Sequence, residues 1–454
     1  MTSLTNENRL SKNRSFMDNP SFKLLVIGII AFLLLIPRSF ILDLIEERHI
    51  RHLDTESEIQ SKWSNEQTFS GPFLRIAFWE ENEFVEGNVK KIKKEKKHLF
   101  LLPSELEING NLQSESLHRG IFEVPVYTNT ISFSGKFSEF PFEKLKITPE
   151  SLIWEDANFI LLLSDLKGLT GNPEIVLNGS NIPIEPFYDP NKNQEGIQTS
   201  FTEEAYSNGS SFSGSLSLRG SKSFFAIPMA KSTIMNLTGN WSSPSFQGEY
   251  LPESRNVTED GFESSWQISH LNRIFRQEYI GSMPDLSPSA FGMNLSIPND
   301  EYQQNTRSAK YALLIIALSF LSLFMMELFT KKQIHPIQYT LIGFALVLYY
   351  ILLIAFSEHL GFGWAYLIAG FATTILLGFY SKTFFIQIKQ SILFSLILGV
   401  FYTFIFIIIK QEDYALLMGS VGLFLALAFT MFLSRNVNWE KGIISDINPS
   451  ISNK

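Results

Sequence analysis

The chain has 454 residues, a formal net charge of −8 at pH 7 and no cysteine. Its length suffices for a membrane bundle plus one or two soluble domains, and its acidic balance gives no reason to expect nucleic acid as a partner. The missing cysteine excludes a disulfide framework and thiolate metal sites, so a soluble portion must rest on a hydrophobic core, which a chain of this length can build.

A polar tail, residues 1–21, precedes a first apolar segment, Phe22–Leu42. Five more are crowded near the C-terminus: Tyr311–Thr330, Ile337–Phe356, Leu360–Tyr380, Ser391–Ile409 and Tyr414–Ser434. Each is close to the ~20 residues that cross a hydrocarbon core. The pattern predicts an α-helical transmembrane bundle of six spans, with a large exported domain inserted between spans one and two. The first segment has the basic flank and short apolar core of a signal peptide. However, Pro37-Arg38-Ser39-Phe40 offers no small-x-small cleavage site, and apolar residues resume at Phe40-Ile41-Leu42, which favours an uncleaved anchor. Basic residues fall on alternate flanks: Arg9, Lys12, Arg14 and Lys23, then Lys331 and Lys332, then Lys382 and Lys389, then Arg435. This predicts cytoplasmic termini, including the tail 435–454, and places residues 43–309 outside.

After the first span, Asp43–Trp63 reads as a continuing helix within a juxtamembrane segment, 43–70, expected to stop near Gly71-Pro72. Residues 71–309 then read as β-rich. Period-two runs such as Glu123–Tyr127 and Ser213–Leu218, with turn-forming clusters between them, favour an antiparallel sandwich or barrel. Asn109-Gly110 and Asn178-Gly179 are hairpin-type pairs. The triplet Phe-Ser-Gly occurs at Phe133–Gly135 and Phe212–Gly214, as an internal duplication into two subdomains would produce. The basic run Lys90–Lys97 invites a lipid or acidic-polymer reading, and a solvated hairpin tip explains it more simply.

The residues that carry chemistry are sparse. Nothing matches a nucleophile elbow, a phosphate-binding glycine loop or a zinc-protease helix, and no cofactor is expected. His49 and His52 share a helix face, which suits a metal only if further ligands converge; a solvated face is the plainer reading. Glu327 lies within the second span and is a functional candidate by that fact alone. Lys331 at i+4 offers it an interfacial ion pair with snorkelling, which needs no function. Pro336 suits the first position of the next helix. Glu358 and His359 cap an exported hairpin, where they either remain solvated or meet the β-domain. Gly422-x-x-x-Ala426-x-x-x-Thr430 and Ala365-x-x-x-Ala369-x-x-x-Thr373 give small faces for packing within the bundle, or for a homodimer. Trp241, Pro244, Phe246 and Gly248 lie in an aromatic loop that is either a recognition element or a buried corner of the core.

The stretch Asn240–Pro252 resembles the Trp-x-x-Pro-Ser-Phe-x-Gly-x-x-Leu-Pro pattern of the CreD family. Trp63, Gln67 and Gly71-Pro72 agree in order with it, as do Arg119–Phe122, Ser164–Gly168, Tyr302, Arg307 and Lys310-Tyr311. His335–Tyr339, Ser357–His359 with Gly361-Phe362, and Arg435-Asn436 with Trp439 complete the likeness, which covers about residues 22–440. Ser434-Arg435 stands where such families often have Thr-Arg. The resemblance implies a bacterial inner-membrane protein tied to envelope integrity and colicin tolerance, and it brings no catalytic residues. The reading is therefore a non-enzymatic envelope protein whose exported β-domain binds an unidentified envelope protein or polymer and whose spans anchor it in the lipid bilayer. The alternatives are a transporter or flippase, with Glu327 as its support, and an enzyme acting on lipid or cell-wall material, with Ser164-Asp165 as a thin candidate. A homo-oligomer is compatible with all three.

Overall fold

The computed structural model describes residues 20–86, 89–206, 210–295, 301–330, 332–411 and 414–435. The chain divides into two compact units, one joining Met1–Arg51 to Asn299–Lys454 and the other comprising His52–Pro298.

The first unit is helical. Ser21–Trp63, Ala312–Thr330, Pro336–Ser381, Ile388–Lys410 and Ala415–Ser434 are long and apolar enough to cross a membrane. In hydrocarbon such runs adopt helices because a helix satisfies every backbone group within its own segment. The first of them is interrupted by a turn at Leu34, just before Pro37, whose ring removes the hydrogen bond to the carbonyl four residues back. The unit's core is formed by Ile316, Phe320, Phe324, Tyr339, Leu346 and Phe394.

Pro336–Ser381 contains a single non-helical residue, Gly361, at φ 76° and ψ 153°. A straight helix would hold Tyr349 and Tyr366 about 25 Å apart. Their rings lie 5.7 Å apart, so the two halves fold back side by side. The expected loop at Ser357–His359 is therefore replaced by a reversal at one glycine, in a region of backbone space that other residues essentially do not enter. Ala365, Ala369 and Thr373 are buried, so this small-residue face packs within the unit. A Cβ on Gly422 would fall 2.1 Å from the Phe404 ring, so the last helix rests on its predecessor at that point. Pro336 opens its helix as expected, with His335 as the cap: the Ile337 N–H donates to His335 Nδ1 at 3.3 Å.

The second unit is mainly β. Its first sheet runs Pro244–Gly248, Phe291–Leu295, Ser223–Ile227, Gln67–Glu86, Leu152–Leu163, Gln194–Ser200, Glu185–Asp189. Val89–Leu101 pairs onto Gln67–Glu86 and carries Glu278–Ile280. The second sheet runs Ser254–Thr258, Gly261–Ser269, Ser232–Gly239, Glu105–Arg119, Phe122–Lys136, Ser211–Ser221, Leu169–Leu177, Ser180–Asn181. Pairing is antiparallel except at two joints: Gln67–Ser70 runs parallel to Phe224–Ile227, and Glu105–Leu112 runs parallel to Ser232–Gly239. Inward residues of both sheets share one core, including Phe69, Leu74 and Phe159 from the first and Ile108, Leu218 and Trp266 from the second. The end of the helix Leu35–Trp63 packs onto the second sheet through Ile59, against Val124 and Val126.

Two local expectations are corrected, those at Gly71-Pro72 and Asn109-Gly110. The helix ends at Trp63, and Gly71-Pro72 lies within the strand Gln67–Glu86, at a register shift between Ser70 and Phe73. Asn178-Gly179 makes the expected tight turn with positive φ at both residues, but Asn109-Gly110 lies inside a strand. There a Cβ on Gly110 would meet Leu237 at 2.6 Å, so the glycine serves close packing rather than a turn. The two Phe-Ser-Gly triplets pair with each other in antiparallel register, Phe212 opposite Gly135 and Gly214 opposite Phe133. Each phenylalanine covers the glycine of the other triplet, which gives the likeness a local packing cause. The lysine run is one strand of a charge-laddered ribbon: Lys94 pairs with Glu81 at 2.7 Å, Lys97 with Glu80 at 2.5 Å, and Lys96 with Asp156.

Candidate functional site

In the helical unit, Glu327 is fully buried rather than interfacial. Lys331, its expected partner, lies outside the described residues, and the carboxylate meets Lys23 of the first helix instead. The Tyr339 hydroxyl donates to Oε2 at 3.0 Å and the Ile334 N–H to Oε1 at 3.1 Å. Lys23 is itself 3% exposed. Burying an acid among apolar helices is costly unless it is paired and hydrogen-bonded, and here both conditions are met. Glu358 is half-buried with Arg48 at 3.7 Å, while His359 is exposed. Between the helices Ile388–Lys410 and Ala415–Ser434, Glu412 and Asp413 lie outside the described residues.

In the β unit, Asp165 is the centre of a hydrogen-bond knot. Its Oδ2 accepts from the Ser64 hydroxyl at 3.1 Å, the Asn65 N–H at 2.9 Å and the Asn65 side-chain amide at 3.0 Å. Its Oδ1 accepts from the Lys167 N–H at 3.0 Å. The Gln67 amide donates to the carbonyls of Asp165 and Arg219. These contacts fasten the helix-to-strand junction and occupy both carboxylate oxygens. His49 lies against Tyr302 and His52 against Phe122, and among the described residues no His and carboxylate groups converge as a metal site would require.

The aromatic loop has two faces. Trp241, Phe246 and Tyr250 pack against the sandwich core, with the Phe246 ring 5.7 Å from Trp266. Pro244 opens an edge strand, where its missing N–H costs no ladder bond. Gly248 has φ +100°, and a Cβ there would fall 2.3 Å from the Ala290 carbonyl. Gln247 and Gly248 also line a groove of about 760 Å³ that crosses one end of the first sheet. Its floor includes Leu162, Ile227 and Met229, and Met283 and Leu286 come from the irregular segment forming its other wall. Glu195, Glu249 and Asp285 also line it. Polar and apolar groups share its lining about equally, and a concave site in which polar groups converge on an apolar floor has the form of a binding pocket.

The profile of the family described as "Inner membrane protein CreD" matches residues 19–440. The inner membrane protein CreD of Escherichia coli (strain K12) is 31% identical over 412 residues, covering 90% of this chain and 91% of that protein. The chain belongs to the CreD family. Within this CreD-family chain the motif residues divide by role. Trp241 and Phe246 support the core, whereas Gln247 and Gly248 reach the groove. Ser164 donates no catalytic pairing to Asp165; its hydroxyl accepts from the Thr68 N–H at 2.9 Å. Sequence reasoning missed Lys23, which looked like an ordinary basic flank, and the wall Met283–Pro288. The prolines at 284 and 288 were the available signal for that wall, since they mark a rigid, non-sheet segment.

Proposed function

We propose that this CreD-family protein is a non-enzymatic, multi-pass component of the cell envelope whose β unit lies on the periplasmic side and binds an envelope component in its groove. The groove on the first sheet is the observation that carries this reading. Six crossings fit it: the two halves of Pro336–Ser381 run side by side and each is long enough to span, and the basic flanks alternate as cytoplasmic termini require. The buried acids favour it over the alternatives. Glu327 is held by Lys23, Tyr339 and Ile334, which suits an anchoring pair better than an ion relay. Asp165 has its oxygens committed to the junction, which suits a fastener better than a catalytic acid.

The chain has no native cysteine, so single cysteines report cleanly. Cysteine-directed cross-linking in intact cells from Ser287→Cys or Asn193→Cys, both on the groove rim, is expected to give a discrete adduct. Glu263→Cys, on the outer face of the other sheet, should give none. Equal capture from rim and outer face would refute the groove as the binding site. An exported reporter fused at Asp156 should be active and one fused after Arg435 inactive; the reverse pattern would overturn the topology.

A further inference from the structure

The groove's shape and charge narrow the chemistry of what it holds; this step rests on the groove being the binding site. Its lining runs from Asn193-Gln194-Glu195 across Leu162-Leu163-Ser164, Thr68 and Ser70, and Phe225 and Ile227, to Gln247-Gly248-Glu249. In sheet order that crosses from the strand Gln194–Ser200 to the edge strand Pro244–Gly248. At ~4.8 Å per strand the trough is about 24 Å long, the length of an extended chain of about seven residues. Glu195 lies at one end, Glu249 at the other, and Asp285 on the wall between. Among the described residues, no Lys, Arg or His lines it.

The carboxylates are only partly committed. Glu195 Oε1 accepts the Leu166 N–H at 2.7 Å, and Asp285 Oδ1 holds the N–H and hydroxyl of Ser287. The nearby Lys192 donates to the Met283 carbonyl at 2.6 Å. Among the described residues, Glu195 Oε2, Asp285 Oδ2 and the Glu249 carboxylate accept no hydrogen bond, and Lys192 lies close enough to Asp285 to act on its charge. Between the acidic ends lie Leu162, Ile227, Met229, Met283 and Leu286, which suit aliphatic side chains. Met side chains adapt to varied apolar shapes, so this middle section sets hydrophobicity more than sequence.

We propose that the groove binds an extended polypeptide segment of about seven residues, apolar in the middle and carrying Lys or Arg at both ends. The ends are fixed by charge-assisted hydrogen bonds to Glu195 and Glu249, and the middle by burial on the floor. A compact ligand would leave one acidic end unpaired, and an anionic one would meet three carboxylates, offset in part by Lys192 beside Asp285.

The test uses the full chain in lipid nanodiscs and two fluorescent seven-residue peptides with the same Val-Ser-Leu-Thr-Val centre, one with Lys at both ends and one with Glu. Fluorescence anisotropy should show the lysine peptide binding at least about tenfold more tightly, with the advantage shrinking as salt rises. Glu249 is exposed and Glu195 half-buried, and glutamine keeps an oxygen to accept the Leu166 N–H, so the double variant Glu195→Gln/Glu249→Gln should fold and lose that advantage, while Glu263→Gln on the other sheet should retain it. Equal binding of the two peptides, or an advantage that survives in the double variant, would overturn the proposal. If neither peptide binds while Ser287→Cys still captures its adduct in cells, the ligand class is wrong and the groove reading stands. If both fail, the groove is not the binding site.

Discussion

Both units bury carboxylates, Glu327 in the helical unit and Glu56 and Asp165 in the β unit; Glu56 pairs with Lys222 at 2.7 Å, and Glu327 and Asp165 are neutralised by different means. Glu327 has a cation, Lys23, brought from another helix, with Tyr339 and the Ile334 N–H completing its shell. Among the described residues, Asp165 has dipoles alone: the Ser64 hydroxyl, the Asn65 amides and the Lys167 N–H. The difference follows from where free backbone donors exist. A helix commits its N–H groups internally, leaving donors only near its ends. In keeping with this, the Ile334 N–H that reaches Glu327 lies just before the helix that starts at Pro336. The β unit has irregular chain at Ser64–Glu66 and a short 3-10 turn at Leu166–Gly168, whose uncommitted N–H groups can surround an acid without a counter-ion. Regular structure in an apolar setting therefore calls for an ion pair, whereas a junction between elements can use dipoles.

The sharpest way to break this comparison is to remove one partner. Glu327→Ala leaves the Lys23 ammonium buried and unpaired, and should cost about 3–5 kcal/mol. Thermal unfolding of the detergent-purified chain would show it, and the double variant Lys23→Met/Glu327→Leu should recover most of the loss. If the double variant were as unstable as the single one, the pair would not be the source of the penalty. Asp165→Ala should cost less, about 1–3 kcal/mol, because it strands neutral donors rather than a charge, some of which water can reach. A larger loss than that of Glu327→Ala would reverse the comparison. Gly361→Ala tests the helical unit's other dependence, a reversal at one residue. Its φ of 76° with ψ 153° should make alanine cost about 1–3 kcal/mol, read in the same melt, and an unchanged midpoint would show that the turn relaxes elsewhere.

The membrane segments and the mainly β character were legible because both rest on local periodicity: long apolar runs for the helices and alternation for the strands. Strand pairing was less so. Asn109-Gly110 has the composition of a turn, and its place inside a strand is set by Leu237 on a distant strand, which leaves no trace in the neighbouring sequence. Gly71-Pro72 misled for the same reason: a bulge and a turn use the same residues. Glu327 was recognised as notable, but its partner was sought at i+4, where local reasoning looks, while Lys23 is brought to it by packing between helices. The groove was half visible. Gln247 and Gly248 lie in a motif with aromatic anchors, yet Glu195 and Asp285 are ordinary surface acids until the sheet brings their loops together.

The smallest expected effect concerns pH and separates the units by their contact with solvent. In the β unit, His98 is held below the usual imidazole value, chiefly by partial burial and then by the neighbouring charges of Arg75 and Lys96, with Asp156 opposing. The folded state therefore resists protonation more than the unfolded chain does. As pH falls through the ordinary imidazole value of 6.5, the unfolded chain takes up a proton that the folded unit accepts only at lower pH. Stability is lost over that interval, and the loss is complete once pH has passed below the folded value. The site is largely solvent-accessible, so screening keeps the effect to roughly a few tenths of a kcal/mol. Comparing thermal midpoints at pH 7.5 and 5.0, the native chain should lose slightly more than His98→Gln, because the variant has no proton to gain. Parallel losses in the two proteins would show that His98 titrates normally. A smaller loss in the native chain would mean that Asp156 outweighs burial and raises the imidazole instead.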